Sequence, residues 1–411
     1  SGLPTFPSTF CLSLSPKKHR SRALKGLGFF LSGNVQCFRN NNGWEYCLLR
    51  VDHSHDWRCS CGSRWVRLQQ TIWKVTQGNV TLANQKKKMV KHTHDLIDKI
   101  KESTEKLQLD NTSRGDVKIV SRTLRELRYA FKVFAPYRQE RIVAVFGSAR
   151  TPPENAAYLQ AIEFGRRMAE QSWFVLTGAA SGIMEAGHRG AGRKQSMGLN
   201  IMLPFEQDSN PIIRGDHKLV HMKYFFTRKL MFVKECDAVC LLPGGFGTLD
   251  EGLEVLTLLQ TGKRDLVPVV FLDAPGAHFW KDWDTFVHNQ LLKEGMISPD
   301  DLSLYKLTDS VDCAIEEILN FYRIFHSMRY VNDFLVFRLK TRISDEQLDR
   351  INTDFADILS SGKFDVCDPL DEEKDEPELK EMPRLIFHFN RRNLGRLRQL
   401  VDVLNRSPPL N

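Results

Sequence analysis

The first 43 residues contain no aspartate or glutamate, and nowhere does the 411-residue chain hold an apolar run of the roughly 20 residues that a membrane-spanning helix requires. Even the stretch from Gly26 to Gly33 is short and broken by glycines, so no membrane partner is expected. Also missing are a Walker phosphate loop, a dinucleotide G-x-G-x-x-G and any recognisable nucleic-acid-binding pattern. The nine cysteines are odd in number and scattered, which favours free thiols over a disulfide framework. Their one local cluster, His53, His55, Cys59 and Cys61, has a Cys-x-Cys spacing that fits zinc sites poorly, so no metal is expected. What remains is 42% hydrophobic, enough to bury one large core and a second small one.

Charge is distributed unevenly. Residues 1–138 carry 25 Lys/Arg against 10 Asp/Glu, and the rest 33 against 40. A solvated basic face accounts for this, and no nucleic-acid partner is expected. Residues 1–43, rich in serine and carrying Lys17, Lys18, Arg20, Arg22, Lys25 and Arg39, have the composition either of an organelle transit peptide or of a disordered basic leader. Neither reading gives them a part in the fold. Residues 44–84, with Trp44, Trp57, Trp65 and Trp73, fit a small sheet, an irregular packing arm or an artefact of gene prediction. From 85 to 138 the pattern turns helical, with Ile97, Ile100 and Leu107, then Val120, Leu124, Leu127 and Phe131, recurring mostly at three- and four-residue steps.

Residues 139–327 alternate apolar runs with amphipathic stretches, the pattern of a doubly wound, Rossmann-like α/β fold: a parallel sheet with helices on both faces. Strands are expected at Ile142–Phe146, Trp173–Thr177, Met197–Leu203, Leu219–Met222, Ala238–Leu242 and Val267–Leu272. Helices are expected around Ala156–Gln171, Ile183–Lys194, Thr227–Glu235, Leu249–Thr261, Trp280–Leu292 and Val311–Phe325. Residues 328–411 read as a small separate α+β module, with strands at Phe334–Leu339 and Leu385–Phe389, a helix opened by a Ser344-x-x-Gln347 capping box, and a last helix from Asn393 to Leu404. The run Asp371–Glu376 reads as a solvated loop.

In such a sheet ligands bind beyond the carboxyl ends of the strands. There the chain places Gly147-Ser148-Ala149-Arg150, then Gly178-Ala-Ala-Ser-Gly-Ile-Met-Glu185, then Pro243-Gly244-Gly245-Phe246-Gly247-Thr248-Leu249-Asp250-Glu251. Three glycines in four positions at a helix start allow consecutive N–H groups to form a phosphate nest, aided by the helix dipole, with the Thr248 hydroxyl as a further donor. Glu251 has two readings: the second half of a Thr248-x-x-Glu251 capping box, or, with Glu254 one turn on, a carboxylate facing the ligand cleft. Arg228 and Lys229 lie at the start of an apolar helix, where the dipole disfavours unneutralised cations, so an anionic neighbour is expected. For Lys229 an ordinary salt bridge serves as well as a ligand contact.

Together the G-S-A-R turn, the Gly178–Glu185 loop, the Arg228-Lys229 pair and the P-G-G-x-G-T-x-x-E signature resemble the Lonely Guy family of cytokinin-nucleotide phosphoribohydrolases, over residues 141–325. Gly198–Glu206 and the tail from Arg384 to Arg398 resemble a longer bacterial and plastid branch. The resemblance implies hydrolysis of a purine nucleoside 5′-monophosphate to free base and ribose 5-phosphate, without metal or redox cofactor, by a homodimer or larger homo-oligomer. It implies Arg228 and Glu251 as the essential pair. Lys229, Gly147, Ser148, Gly178, Gly244, Gly245, Gly247, Thr248, Glu254 and an acidic residue placed at Glu206 would hold the substrate. If the leader is a transit peptide, the expected location is the plastid stroma, and otherwise the cytoplasm. Where relatives commonly carry three glycines, this chain has Gly178-Ala179-Ala180, whose methyls could crowd a phosphate. The alternative is a non-catalytic nucleotide- or cofactor-binding protein of the same fold, such as a molybdenum-cofactor carrier. No residue is identifiable as an imine-forming lysine, which argues against the old lysine decarboxylase label of some relatives.

Overall fold

The computed structural model describes residues 93–203, 208–373 and 376–406, together with the backbone of strands β1 (Cys11–Ser13), β2 (Asn34–Arg39) and β3 (Glu45–Arg50). The His53–Cys61 cluster and Glu206 lie outside the described residues. Contacts divide the chain into two compact units, residues 1–111 and 112–411. Among the described residues no helix is long and apolar enough to cross a membrane.

In the first unit the three strands form an antiparallel sheet in the order β1-β3-β2. Two of them come from residues 1–43, which composition had excluded from the fold. Strand pairing uses backbone N–H and C=O groups, so a shortage of acidic side chains does not prevent it. Helix α1 (His94–Leu109) follows and buries none of its residues.

The second unit opens with α2 (Arg114–Phe134), capped by the Ser113 hydroxyl, which accepts the Asp116 amide at 3.2 Å. Then come β4 (Ile142–Phe146), α3 (Ala156–Glu170), β5 (Phe174–Thr177), α4 (Ile183–Gln195), β6 (Ser196–Ile201), β7 (Leu219–Met222), α5 (Phe225–Glu235), β8 (Ala238–Leu241), α6 (Phe246–Gln260), β9 (Val269–Leu272), α7 (Phe279–Phe286), β10 (Lys306–Thr308) and α8 (Val311–Phe321). The seven strands form one parallel sheet in the order β10-β9-β8-β4-β5-β6-β7. Because helices cover both faces, the central strands are almost wholly apolar, and every residue of β4, β5 and β8 is buried. The chain leaves β4 toward β5 on one side and reaches β8 on the other, so the crevice at this reversal lies between the loops after β4 and β8.

Several boundaries differ from expectation. Helices α5 and α6 start earlier, at Phe225 and Phe246, because Gly245 serves as the cap of α6. The stretch expected to stay helical to Phe325 leaves the helix after Phe321, and β11 (Phe325–Val331) begins there. With β12 (Phe334–Leu339), β13 (Leu359–Cys367) and β14 (Arg384–Phe389) it makes an antiparallel sheet in the order β11-β12-β14-β13. The Ser344 cap opens α9 (Asp345–Asp354), and α10 (Leu394–Arg406) closes the described chain. This α+β module shares its core with the parallel sheet: Phe325, Phe337, Phe387, Leu397 and Leu400 belong to the same buried cluster as Val143 and Val239. Within the acidic run, Glu373 is buried rather than solvated, because Arg338 and Arg384 neutralise it.

Candidate active site

The loops after β4 and β8 are stitched together at the crevice. The Ser148 amide donates to Pro243 O at 3.1 Å, and the Leu242 amide to Phe146 O at 2.9 Å. The Ile183 amide joins the third loop by donating to Ser148 O at 3.0 Å. Gly147 and Gly244 owe their identity to this closeness. A Cβ on Gly147 would stand 2.7 Å from Ile183 Cβ, and one on Gly244 would stand 2.7 Å from Thr248 Cβ and 2.9 Å from Ser148 N. Gly147 and the Ser148 amide, both expected among the substrate-holding groups, serve here to pack the loops against one another.

Gly245 and Gly247 differ, since a Cβ on either would meet nothing within 4 Å. Thr248 and Leu249 donate their amides to Gly245 O at 3.0 and 3.1 Å. The amides of Phe246 and Gly247, the first two of α6, precede any intrahelical acceptor, and the helix dipole reinforces their positive end. Phe246 is 93% exposed beside them.

Glu251 lies one turn further along α6. The capping-box reading fails because Gly245 caps the helix without a side-chain bond and both Thr248 and Glu251 sit inside it, buried. Across from Glu251, α5 presents two cations. Arg228 Nη2 reaches Glu251 Oε1 at 3.4 Å, and Lys229 Nζ stands 2.9 Å from Asp250, 2.7 Å from Glu254 and 3.7 Å from Glu251. The anionic neighbour expected at the start of α5 is thus in the chain itself, supplied by α6. Lys229 is engaged by carboxylates, the salt-bridge half of its two readings.

The electrostatics are unusual for an ion pair. Burial pushes the Glu251 carboxyl above its ordinary value although Lys229 and Arg228 pull the other way. Burial likewise lowers Arg228, against the pull of Glu251. Arg228 Nε is buried without a hydrogen-bond partner, and the guanidinium lies 4.9 Å from the ring of half-exposed Phe225. The pair is held close but incompletely satisfied. Gly178 borders it: a Cβ there would come 3.6 Å from Arg228 Nη1.

A residue that the periodicity of α2 did not single out positions this pair. Buried Glu126 accepts the Lys223 amide and the Thr227 hydroxyl, each at 2.8 Å, and pairs with Arg122 at 2.7 Å. It thereby fixes the first turn of α5 immediately before Arg228. A lone carboxylate amid Leu124, Leu127 and Ala130 was the available signal. For Ala179 the concern about crowding falls away, because its methyl is fully buried with Ile213 and Leu219, whereas Ala180 is partly exposed. A cleft of about 710 Å³ lies elsewhere, between α8 and α10. Its arginines are largely paired internally, Arg398 with Glu317 and Asp402, and Arg396 with Asp357.

Residues 178–318 match the family model described as "Possible lysine decarboxylase". A cytokinin riboside 5′-monophosphate phosphoribohydrolase of Arabidopsis thaliana is 30% identical over 162 residues, 38% of this chain and 71% of that protein. A probable enzyme of the same name from Oryza sativa subsp. japonica is 30% identical over 168 residues, 39% of this chain, and the match spans 64% of its length, less than two thirds. Among solved structures, the molybdenum cofactor carrier protein of Chlamydomonas reinhardtii aligns over 44% of this chain and 98% of its own at 19% identity, with a TM-score of 0.32.

Proposed function

We propose, from the premise that the chain belongs to the Lonely Guy family, that it hydrolyses the N-glycosidic bond of a purine nucleoside 5′-monophosphate, releasing free base and ribose 5-phosphate. The observation that carries this reading is the buried, incompletely satisfied Arg228–Glu251 pair one turn beyond a helix start with open amides. In this reading the phosphate sits on the amides of Phe246 and Gly247, below the open positions of Gly245 and Gly247. From the start of α6 to Glu251 the helix rises about 7.5 Å, a span suited to a phosphate at one end and the anomeric carbon at the other.

Cleavage breaks the C1′–N bond and passes through an oxocarbenium-like state. The Glu251 carboxylate stabilises that cation and takes a proton from the water that bonds to C1′, while the departing base leaves with the bond's electron pair and takes a proton from solvent, to which Glu251 then returns its own. A carboxylate whose pKa is raised by burial is a stronger base than an exposed one. Arg228 acts by charge, not as an acid, since a guanidinium group keeps its proton in proteins. Lys229, held by Asp250, Glu251 and Glu254, keeps the carboxylates of α6 aimed across the crevice. The roles of Gly178 and Glu254 are as lining of the same crevice, and Glu206 is retained as a candidate for the ribose.

Two further parts of the reading concern assembly and location. Phe226, Leu230 and Leu253 are each about half exposed on α5 and α6 beside the site, a face suited to a second copy of the chain in a homodimer. If the acid-free leader is a transit peptide it directs the chain to the plastid stroma, and otherwise the chain stays in the cytoplasm. Incubating the full chain with AMP and with isopentenyladenosine monophosphate, followed by chromatography for free base, tests the reaction. Release abolished by Arg228→Ala supports the site; release unchanged by it removes the assignment.

A further inference from the structure

The loop after β5 makes a turn that its residues should resist. Ala179 takes a left-handed conformation with φ of 59°, costly for a residue with a Cβ and routine for glycine. Behind it three successive carbonyl oxygens are bonded to buried asparagines. Gly178 O accepts from Asn200 Nδ2 at 3.3 Å, Ala179 O from the Asn210 amide at 2.8 Å, and Ala180 O from Asn210 Nδ2 at 3.1 Å. Both asparagines are about 5% exposed or less.

Asn210 is itself oriented by His188, which is completely buried. The ring's Nε2 lies 2.8 Å from Met197 O, an acceptor only, so Nε2 carries the hydrogen. The other nitrogen, Nδ1, then accepts from Asn210 Nδ2 at 3.1 Å. The two hydrogens of the Asn210 amide thus go to His188 and to Ala180 O. Thr177 completes the cluster by accepting the Ala179 amide at 2.9 Å. The effect of these hydrogen bonds is to set the direction of the loop's carbonyls.

We infer that Asn210, oriented by His188, is a positioning residue for the phosphoribosyl end of the substrate: it holds the Gly178–Ser181 loop so that carbonyl oxygens, which would repel a phosphate, face the protein interior. The inference rests on the proposed nucleotide reading of the site. It explains why the chain tolerates Ala179 where a glycine would need no such clamp, and it assigns His188 a role through another residue.

The test is a double-mutant cycle on the full-length protein with AMP as the probe. Asn210→Ala raises KM for AMP by about tenfold or more while kcat changes little, the pattern of lost binding. Ala179→Gly alone is nearly silent, and added to Asn210→Ala it returns KM most of the way, because glycine adopts the turn unaided. A merely structural role would move the unfolding midpoint and leave KM for AMP in the folded protein unchanged. Unfolding midpoints are recorded for each variant. If Asn210→Ala does not fold, His188→Leu removes the acceptor that orients the amide and leaves the backbone bond to Ala179. An unchanged KM in Asn210→Ala, or a double variant no better than the single one, overturns the inference while leaving the enzyme reading intact. A wild-type protein that neither binds nor cleaves AMP or other nucleoside 5′-monophosphates overturns both.

Discussion

Glu251 and Glu373 are both buried carboxylates facing two cations, yet their surroundings treat charge in opposite ways. Each oxygen of Glu373 has its own arginine: Arg338 Nε donates to Oε1 at 2.9 Å and Arg384 Nε to Oε2 at 2.8 Å. Although burial works against it, these bonds hold the Glu373 carboxyl below its ordinary value. Glu251 meets Arg228 only at 3.4 Å and Lys229 at 3.7 Å, and burial wins, raising its carboxyl. A cluster that serves the fold satisfies its charges; one that keeps affinity in reserve for a ligand leaves them short. The comparison separates a structural anchor in the C-terminal sheet from the carboxylate of the proposed site, beyond the carboxyl ends of the central strands.

The sharpest way to break that contrast is to remove each carboxylate. Glu373→Ala leaves buried Arg384 without its carboxylate and Arg338 with Glu376 alone, and lowers stability in chemical denaturation by about 3–5 kcal/mol, with turnover by the remaining folded protein unchanged. Glu251→Gln does the reverse: nucleotide hydrolysis falls by about 10²–10³-fold, and stability falls far less than for Glu373→Ala. Equal stability losses in the two would erase the distinction.

The pH dependence of unfolding sharpens it. The lowered carboxyl of Glu373 contributes stability that is present above the ordinary value of 4.5 and is lost as pH falls through its own lower value. The raised carboxyl of Glu251 costs stability as pH climbs from 4.5 through its own higher value. Denaturation of the two Gln variants from about pH 3 to about pH 8 reads this directly. The advantage of wild type over Glu373→Gln shrinks toward acid, while Glu251→Gln gains on wild type as pH rises through the range just above 4.5.

The smallest effects come from glycines. Gly244→Ala drives a methyl into Thr248 and the Ser148 amide and destabilises by about 1–3 kcal/mol. Gly245→Ala, with open space before it, leaves stability within about 0.5 kcal/mol and raises KM instead. Matched unfolding and kinetic measurements on the pair check both.

Much of this was legible in the chain. Buried parallel strands announce themselves as continuous apolar runs, and β4, β7 and α3 lie where the pattern put them to within a residue. The crevice followed from strand ends rich in glycine. What was hidden depends on tertiary partners. Strand β11 alternates buried and exposed residues too irregularly to stand out from the helix before it. Glu373 sits in a run of charges that reads as solvent-facing until Arg338 and Arg384, remote in sequence, fold over it. The different purposes of Gly244 and Gly245 are invisible without knowing that Thr248 turns back on the first and not the second. Glu126 and Asn210 act at long range, holding α5 and the Gly178 loop from other elements.

The central claim is that Glu251 faces the reacting carbon of a nucleoside 5′-monophosphate. Purified protein incubated with AMP should yield adenine and ribose 5-phosphate in equal amounts by chromatography, and Glu251→Gln, folded and still binding AMP, should yield almost none. Undiminished adenine release by that variant, or intact AMP with both proteins, would contradict the account.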